Sequence, residues 1–102
     1  MNKNLQIKLS KISDTFDEVQ KQLSSPGLTN EERVSLSKKF SSLEQIITKK
    51  NEVKKIEDSI TDTEELLNKE DDDELVELAR EDIENLKKNI EIKNNNLKKL
   101  LI

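Results

Sequence analysis

Histidine, cysteine, tryptophan and tyrosine are absent from the 102-residue chain, and glycine and proline occur once each. Without His or Cys the chain lacks the usual zinc ligands, a thiolate nucleophile, an imidazole base and any disulfide framework. An ordinary enzyme active site is therefore not expected, and no metal or cofactor is assigned. One Gly and one Pro are far below average usage, a deficit that long uninterrupted helices would produce. No apolar stretch approaches the roughly 20 residues of a membrane span, and the opening MNKNLQIKLSK carries no run like that of a signal peptide. These absences read as a cytoplasmic chain with no membrane partner.

What the chain does have is charge and periodicity. Charged residues make up 39% and hydrophobic residues 31%, with a net charge of −4. So charged a composition would suit disorder if its apolar residues were scattered. They are not. Leu5, Leu9, Ile12, Phe16, Val19 and Leu23 recur at alternating steps of four and three, one apolar stripe on a helix. That helix should stop near Ser24, because Ser25 precedes Pro26 and is pushed out of the helical region, with Gly27 following.

Thr29-Asn30-Glu31-Glu32 is the next start signal, a capping box in which Thr29 holds the backbone and Glu32 reaches back. From there Leu36, Phe40, Leu43, Ile46 or Ile47, Val53, Ile56, Ile60 and Leu67 continue with no Gly or Pro, predicting one helix of about 40 residues, or roughly 60 Å. Asn68 to Asp73 breaks the pattern. Beyond it, Val76, Ile83, Ile90 and Leu97 lie seven apart, as do Ala79, Leu86, Lys93 and Leu100. Those series are the a and d positions of a heptad with Lys93 as the polar intrusion, and Ile46, Val53, Ile60 and Leu67 match them on the second helix.

The fold expected is all-α and forms a single domain over 1–102. It has three antiparallel helices, at about 3–24, 30–68 and 73–101. A turn of about five residues pairs the second and third helices, with Leu67 facing Val76, Ile60 facing Ile83, Val53 facing Ile90 and Ile46 facing Leu97. The short first helix packs on the first half of the second, with Val19 facing Leu36, Phe16 facing Phe40, Ile12 facing Leu43 and Leu9 facing Ile47. The shape expected is a three-helix bundle at one end, with helices two and three projecting as an elongated coiled-coil hairpin. The pairing also sets Lys50 level with Lys93, and the two ammonium groups are expected to snorkel outward while Ile47 and Ile92 cover the gap.

Three features invite a functional reading. Glu70 to Glu74 are consecutive carboxylates, but a calcium loop needs spaced oxygen ligands and a central glycine, and none is present. The acids read instead as a helix start, with Asp71 or Asp72 as N-cap and Asp73 and Glu74 opposing the positive end of the helix dipole. Lys49, Lys50, Lys54 and Lys55 form the densest basic group, extended by Lys38 and Lys39. They are a possible interaction surface for phosphates, although no aromatic residue stands among them and Glu52 and Glu57 blunt the field; the structural alternative is a solvated helix face. Phe16 and Phe40 fall on stripes that meet, which favours core packing over a ligand platform.

Four segments in order resemble the amino-terminal domain of bacterial-type class I peptide chain release factors, the UAA- and UAG-reading type most closely. Phe16-Asp17-Glu18-Val19 followed by Leu23-Ser24-Ser25-Pro26 is similar to that family's end of helix one. Leu36-Ser37-Lys38-Lys39-Phe40-Ser41-Ser42-Leu43-Glu44 resembles its Leu-Ser-Lys-Glu-Tyr-x-x-Leu stretch. The segment from Asp72 to Ile83 is similar to an acidic turn leading into Glu-Met-x-x-Met-Ala-x-Glu-Glu-Leu. The ending Leu97 to Ile102 looks like the leucine-rich close that precedes a Pro-Lys-Asp-Pro linker, so the chain is expected to be a fragment. Asp73 stands where many members have proline, and Lys39 replaces a common glutamate.

The resemblance implies a parent that recognises stop codons in the ribosomal A site and triggers hydrolysis of peptidyl-tRNA, through a Pro-x-Thr tripeptide and a Gly-Gly-Gln loop. Neither motif occurs here, so it implies no catalytic or codon-reading residue and no release activity for this stretch alone. It implies instead a structural arm that packs beside the other domains of the same factor and approaches the ribosome's GTPase-associated region. The competing reading is a generic coiled-coil adaptor or assembly subunit whose partner is another helix. An unpaired a/d edge on the hairpin would also offer a second copy a place to bind.

Overall fold

The computed structural model describes residues 3–102. Every regular element among them is a helix: α1 Lys3–Leu23, α2 Asn30–Lys69 and α3 Asp73–Leu100. By contact the chain forms two compact units, Met1–Lys50 and Asn51–Ile102, and α2 contributes residues to both.

In the first unit, α1 lays its stripe against the first half of α2. Leu9 and Val19 are buried, and Leu5, Ile12, Phe16 and Leu23 are half-buried along the same face. Full burial of such a side chain contributes about 1.5–3 kcal/mol, so this stripe, rather than helix propensity, holds α1 in place. The Phe16 and Phe40 rings stack with centroids 4.9 Å apart and planes 25° from parallel. That is the pairing expected from the two stripes.

The turn between α1 and α2 follows its residues. The Ser24 and Ser25 hydroxyls donate to the carbonyls of Gln20 and Lys21 at 3.2 and 3.3 Å, satisfying acceptors that the helix end leaves open. Pro26 cannot extend the helix, and Gly27 reverses the chain at φ +82°, where a side chain would strain the backbone. The capping box then closes in both directions. Glu32 N–H donates to Thr29 Oγ1 at 3.1 Å, and Thr29 N–H donates to Glu32 Oε1 at 3.4 Å.

In the second unit, the rest of α2 and α3 form an antiparallel helical hairpin. Val53, Ala79, Ile83 and Leu97 are buried, and Ile56, Ile60, Leu67, Val76, Leu86 and Ile90 are half-buried. These are the heptad positions. The turn is slightly shorter than the roughly five residues expected: α2 runs one residue past the expected end, through Lys69, leaving only Glu70, Asp71 and Asp72 outside a helix. Lys69 in the last turn suits the negative end of the α2 dipole, so nothing there forces an earlier stop.

Asp72 resolves the choice of cap. Its carboxylate accepts from Glu74 N–H at 2.9 Å and Leu75 N–H at 3.4 Å, while its own carbonyl accepts from Val76 N–H at 2.9 Å. At the other end Leu101 N–H closes a tight turn onto the Lys98 carbonyl at 3.1 Å, with Lys98 and Lys99 in the final turn.

Two expectations at the polar layer need correction. Ile92 covers nothing, since it is 59% exposed on the outer side of α3. Lys50 and Lys93 are not stranded ammonium groups either, because each has a polar partner within its own unit. Lys50 Nζ donates to Ser13 Oγ at 3.1 Å, and Lys93 Nζ lies 3.5 Å from Glu52 Oε2. A half-buried lysine with a partner retains favourable electrostatics that a freely snorkelling one would seek from water.

Candidate interaction surface

The basic residues singled out by sequence do not all present themselves alike. Lys49 and Lys50 belong to the first unit and are half-buried, and Lys50 is committed to Ser13. Lys54 and Lys55 belong to the second unit and are exposed. Lys54 Nζ pairs with Asp58 Oδ1 at 3.0 Å one helical turn on. The hydrogen bond to Asp58, then its charge, raises the Lys54 pKa above the ordinary lysine value. The Asp58 carboxylate offsets much of the field Lys54 would offer an anion. Lys55 is the member of the group with the most open setting.

Farther up α2, Arg33, Val34, Ser37, Lys38, Ser41 and Ser42 line a shallow open groove of about 730 Å³. Arg33 and Lys38 both border it, Arg33 one turn before Ser37 and Lys38 one turn after Val34. The basic count centred on Lys49 to Lys55 missed it. At the α1–α2 turn, Gln22, Ser25, Leu28, Glu31 and Leu36 border a second open hollow of about 550 Å³. The Ser25 hydroxyl at its edge is committed to the Lys21 carbonyl at 3.3 Å.

The acidic turn is engaged in backbone work. Asp72 caps α3, and Glu70 Oε1 accepts from Asp72 N–H at 3.0 Å. Among the described residues no group of three or more carboxylates is placed to hold a metal ion. Nor is any helix among them long and apolar enough to cross a membrane.

The chain matches the family model described as the PCRF domain over residues 12–102, a span that includes most of α1 and all of α2 and α3. Among curated proteins, peptide chain release factor 1 of Chloroherpeton thalassium is 34% identical over 96 residues, covering 92% of this chain and 27% of the relative. The protein of the same name from Limosilactobacillus reuteri is 35% identical over 78 residues, covering 74% of this chain and 22% of its own. That from Lachnoclostridium phytofermentans is 34% identical over 97 residues, covering 93% and 27%. The chain thus spans about a quarter of the length of these relatives. No solved structure matches it.

Proposed function

The chain belongs to the PCRF domain family, and from that premise we propose that it is the amino-terminal helical domain of a peptide chain release factor of the UAA- and UAG-reading type. The observation that carries this reading is the extent of the match: the family model covers residues 12–102, and relatives named peptide chain release factor 1 align over more than nine-tenths of the chain. A generic coiled-coil adaptor would share the heptads, but it has no reason to match one family model over residues 12–102.

In this reading the chain is a non-enzymatic arm. The parent factor works in the cytoplasm, in the ribosomal A site, and its stop-codon reading and peptidyl-tRNA hydrolysis reside in the remaining three-quarters or so of its length. The absence of His and Cys from this sequence is in keeping with that division. The arm packs beside the other domains of the factor and meets the GTPase-associated region of the ribosome. The cations Lys49, Lys50, Lys54 and Lys55 are the contact surface proposed, with Lys55 the most available.

Competition for ribosomes tests the proposal. The 102-residue chain, added in excess, is expected to reduce binding of an intact UAA/UAG-reading factor to ribosomes stalled at UAA, while releasing no peptide itself. Exchanging Lys49, Lys54 and Lys55 for Glu is expected to weaken that competition roughly tenfold and to reduce its salt dependence. Lys50 is left in place because it supports the fold through Ser13. Unchanged competition by the triple variant would dismiss the basic surface, and absence of competition by the unaltered chain would dismiss the ribosomal role.

A further inference from the structure

The net charge of −4 conceals a strong local imbalance. From residue 61 to residue 83, the end of the hairpin in the second unit, eleven carboxylates stand against two cations, Lys69 and Arg80, a net of −9, and the rest of the chain carries +5. All of these carboxylates but Glu70 are exposed. Among the described residues the ion pairs of the second unit lie outside this stretch, at Lys54–Asp58, Glu84–Lys88 and Glu52–Lys93.

Within the same stretch three leucines face water: Leu66 is 55% exposed, Leu75 50% and Leu78 59%. Single exposed apolar residues are ordinary on a protein surface, but these are not single. Leu75 and Leu78 lie one turn apart on α3. Leu67 and Val76, half-buried on either side of the turn, set the adjoining Leu66 between those two along the hairpin. Each helix turns about 100° per residue, and counted from the seam Leu66 and Leu75 fall on the same flank, with Leu78 farther round it. The seam is filled without them, by Val76, Ala79 and Ile83 on the side of α3. Carboxylates frame the patch: Asp62 stands one turn before Leu66, and Glu74 and Asp82 stand one turn before and after Leu78.

We infer that this flank of the hairpin end is a docking surface for a basic amphipathic helix of another protein, whose apolar stripe covers Leu66, Leu75 and Leu78 and whose lysines and arginines meet the surrounding carboxylates. The leucines make the surface, and the charge selects what covers it. A nucleic acid or an anionic membrane brings phosphates to a region of −9 and is repelled. The same face of a second copy sets like charge against like. An uncharged apolar helix would cover the leucines and leave the neighbouring carboxylates partly desolvated with no counter-charge. A helix with an apolar stripe between basic edges answers both, in the manner of helix-in-groove recognition. The surface shares no residue with Lys49 to Lys55, and the inference does not rest on the release-factor reading.

The full chain is titrated with a synthetic peptide of lysine and leucine, about 18 residues or about five turns long, with its leucines on one face. Amide NMR is expected to place the perturbed resonances within residues 61–83, and the affinity is expected to fall roughly tenfold between about 50 and about 200 mM salt. Leu66→Ser, Leu75→Ser and Leu78→Ser together are expected to weaken binding by roughly tenfold or more. Asp62→Asn with Asp82→Asn is expected to weaken it severalfold and to flatten its salt dependence, and Ile92→Ser, which alters an exposed apolar residue outside the patch, to leave it unchanged. The inference is overturned if the perturbed resonances lie outside 61–83, if the leucine variant binds as tightly as the unaltered chain, if the same peptide composition in scrambled order binds equally well, if single-stranded RNA perturbs the same resonances, or if sedimentation shows the chain pairing with itself through these leucines.

Discussion

Leu97 and Leu100 sit three residues apart in the last turns of α3, both on heptad positions, yet Leu97 has no exposure and Leu100 is 40% exposed. Periodicity alone gives them equal weight, and burial does not. Leu97→Ala is expected to destabilise the chain by about 3 kcal/mol through lost transfer energy and a cavity, and Leu100→Ala by under about 1 kcal/mol. Denaturant unfolding of the two variants measures the difference, and equal losses would mean that the seam does not end where the burial places it. Lys50, Lys93 and Lys54 mark the limit of residue-by-residue reading. The Lys54–Asp58 pair depends on which rotamers meet across one turn of α2, whereas the oxygens that Lys50 and Lys93 reach, on Ser13 and Glu52, lie on a neighbouring helix that a one-dimensional pattern does not contain.

At the scale of elements, the helices and their ends were legible because the local chemistry is unambiguous. Ser-Ser-Pro-Gly allows one outcome at the end of α1, and Thr29 with Glu32 opens α2 as a reciprocal cap. The acidic turn was legible in kind but not in detail, since Asp71 and Asp72 are equally good caps on paper. Geometry selects Asp72, at φ −76° and ψ 117°. Asp72→Ala is accordingly expected to lower stability by about 1 kcal/mol, and Asp71→Ala by no more than a few tenths. Paired thermal melts decide it, and a larger loss at Asp71 would assign the cap to the wrong residue. The turn is slightly shorter than the roughly five residues expected because Lys69 leaves the apolar pattern without leaving the helix. An interruption in hydrophobicity marks where packing lapses, and helical backbone can run past that point. Ile92 shows the converse, an apolar residue that sits outside the seam and remains exposed.

For the whole molecule, fold and family rest on different grounds. Heptads and caps explain three helices in any coiled-coil protein. Membership of the PCRF domain family comes from the match over residues 12–102, and the order of four segments, Phe16 to Pro26, Leu36 to Glu44, Asp72 to Ile83 and Leu97 to Ile102, carried the resemblance to release factors. The interaction surface was the least legible part. A basic cluster reads the same in sequence whether its cations are paired or open, and here Lys50 and Lys54 are engaged while Lys55 and the Arg33–Lys38 groove are exposed. The claim that this chain is the amino-terminal domain of a release factor is tested most directly by exchange. A chimera carrying it in place of the matching segment of Chloroherpeton thalassium peptide chain release factor 1 would be assayed for peptide release from ribosomes stalled at UAA. Release within roughly tenfold of the unaltered factor, about 1.4 kcal/mol in transition-state terms, is the predicted result. A folded chimera that neither binds those ribosomes nor releases peptide would contradict the account.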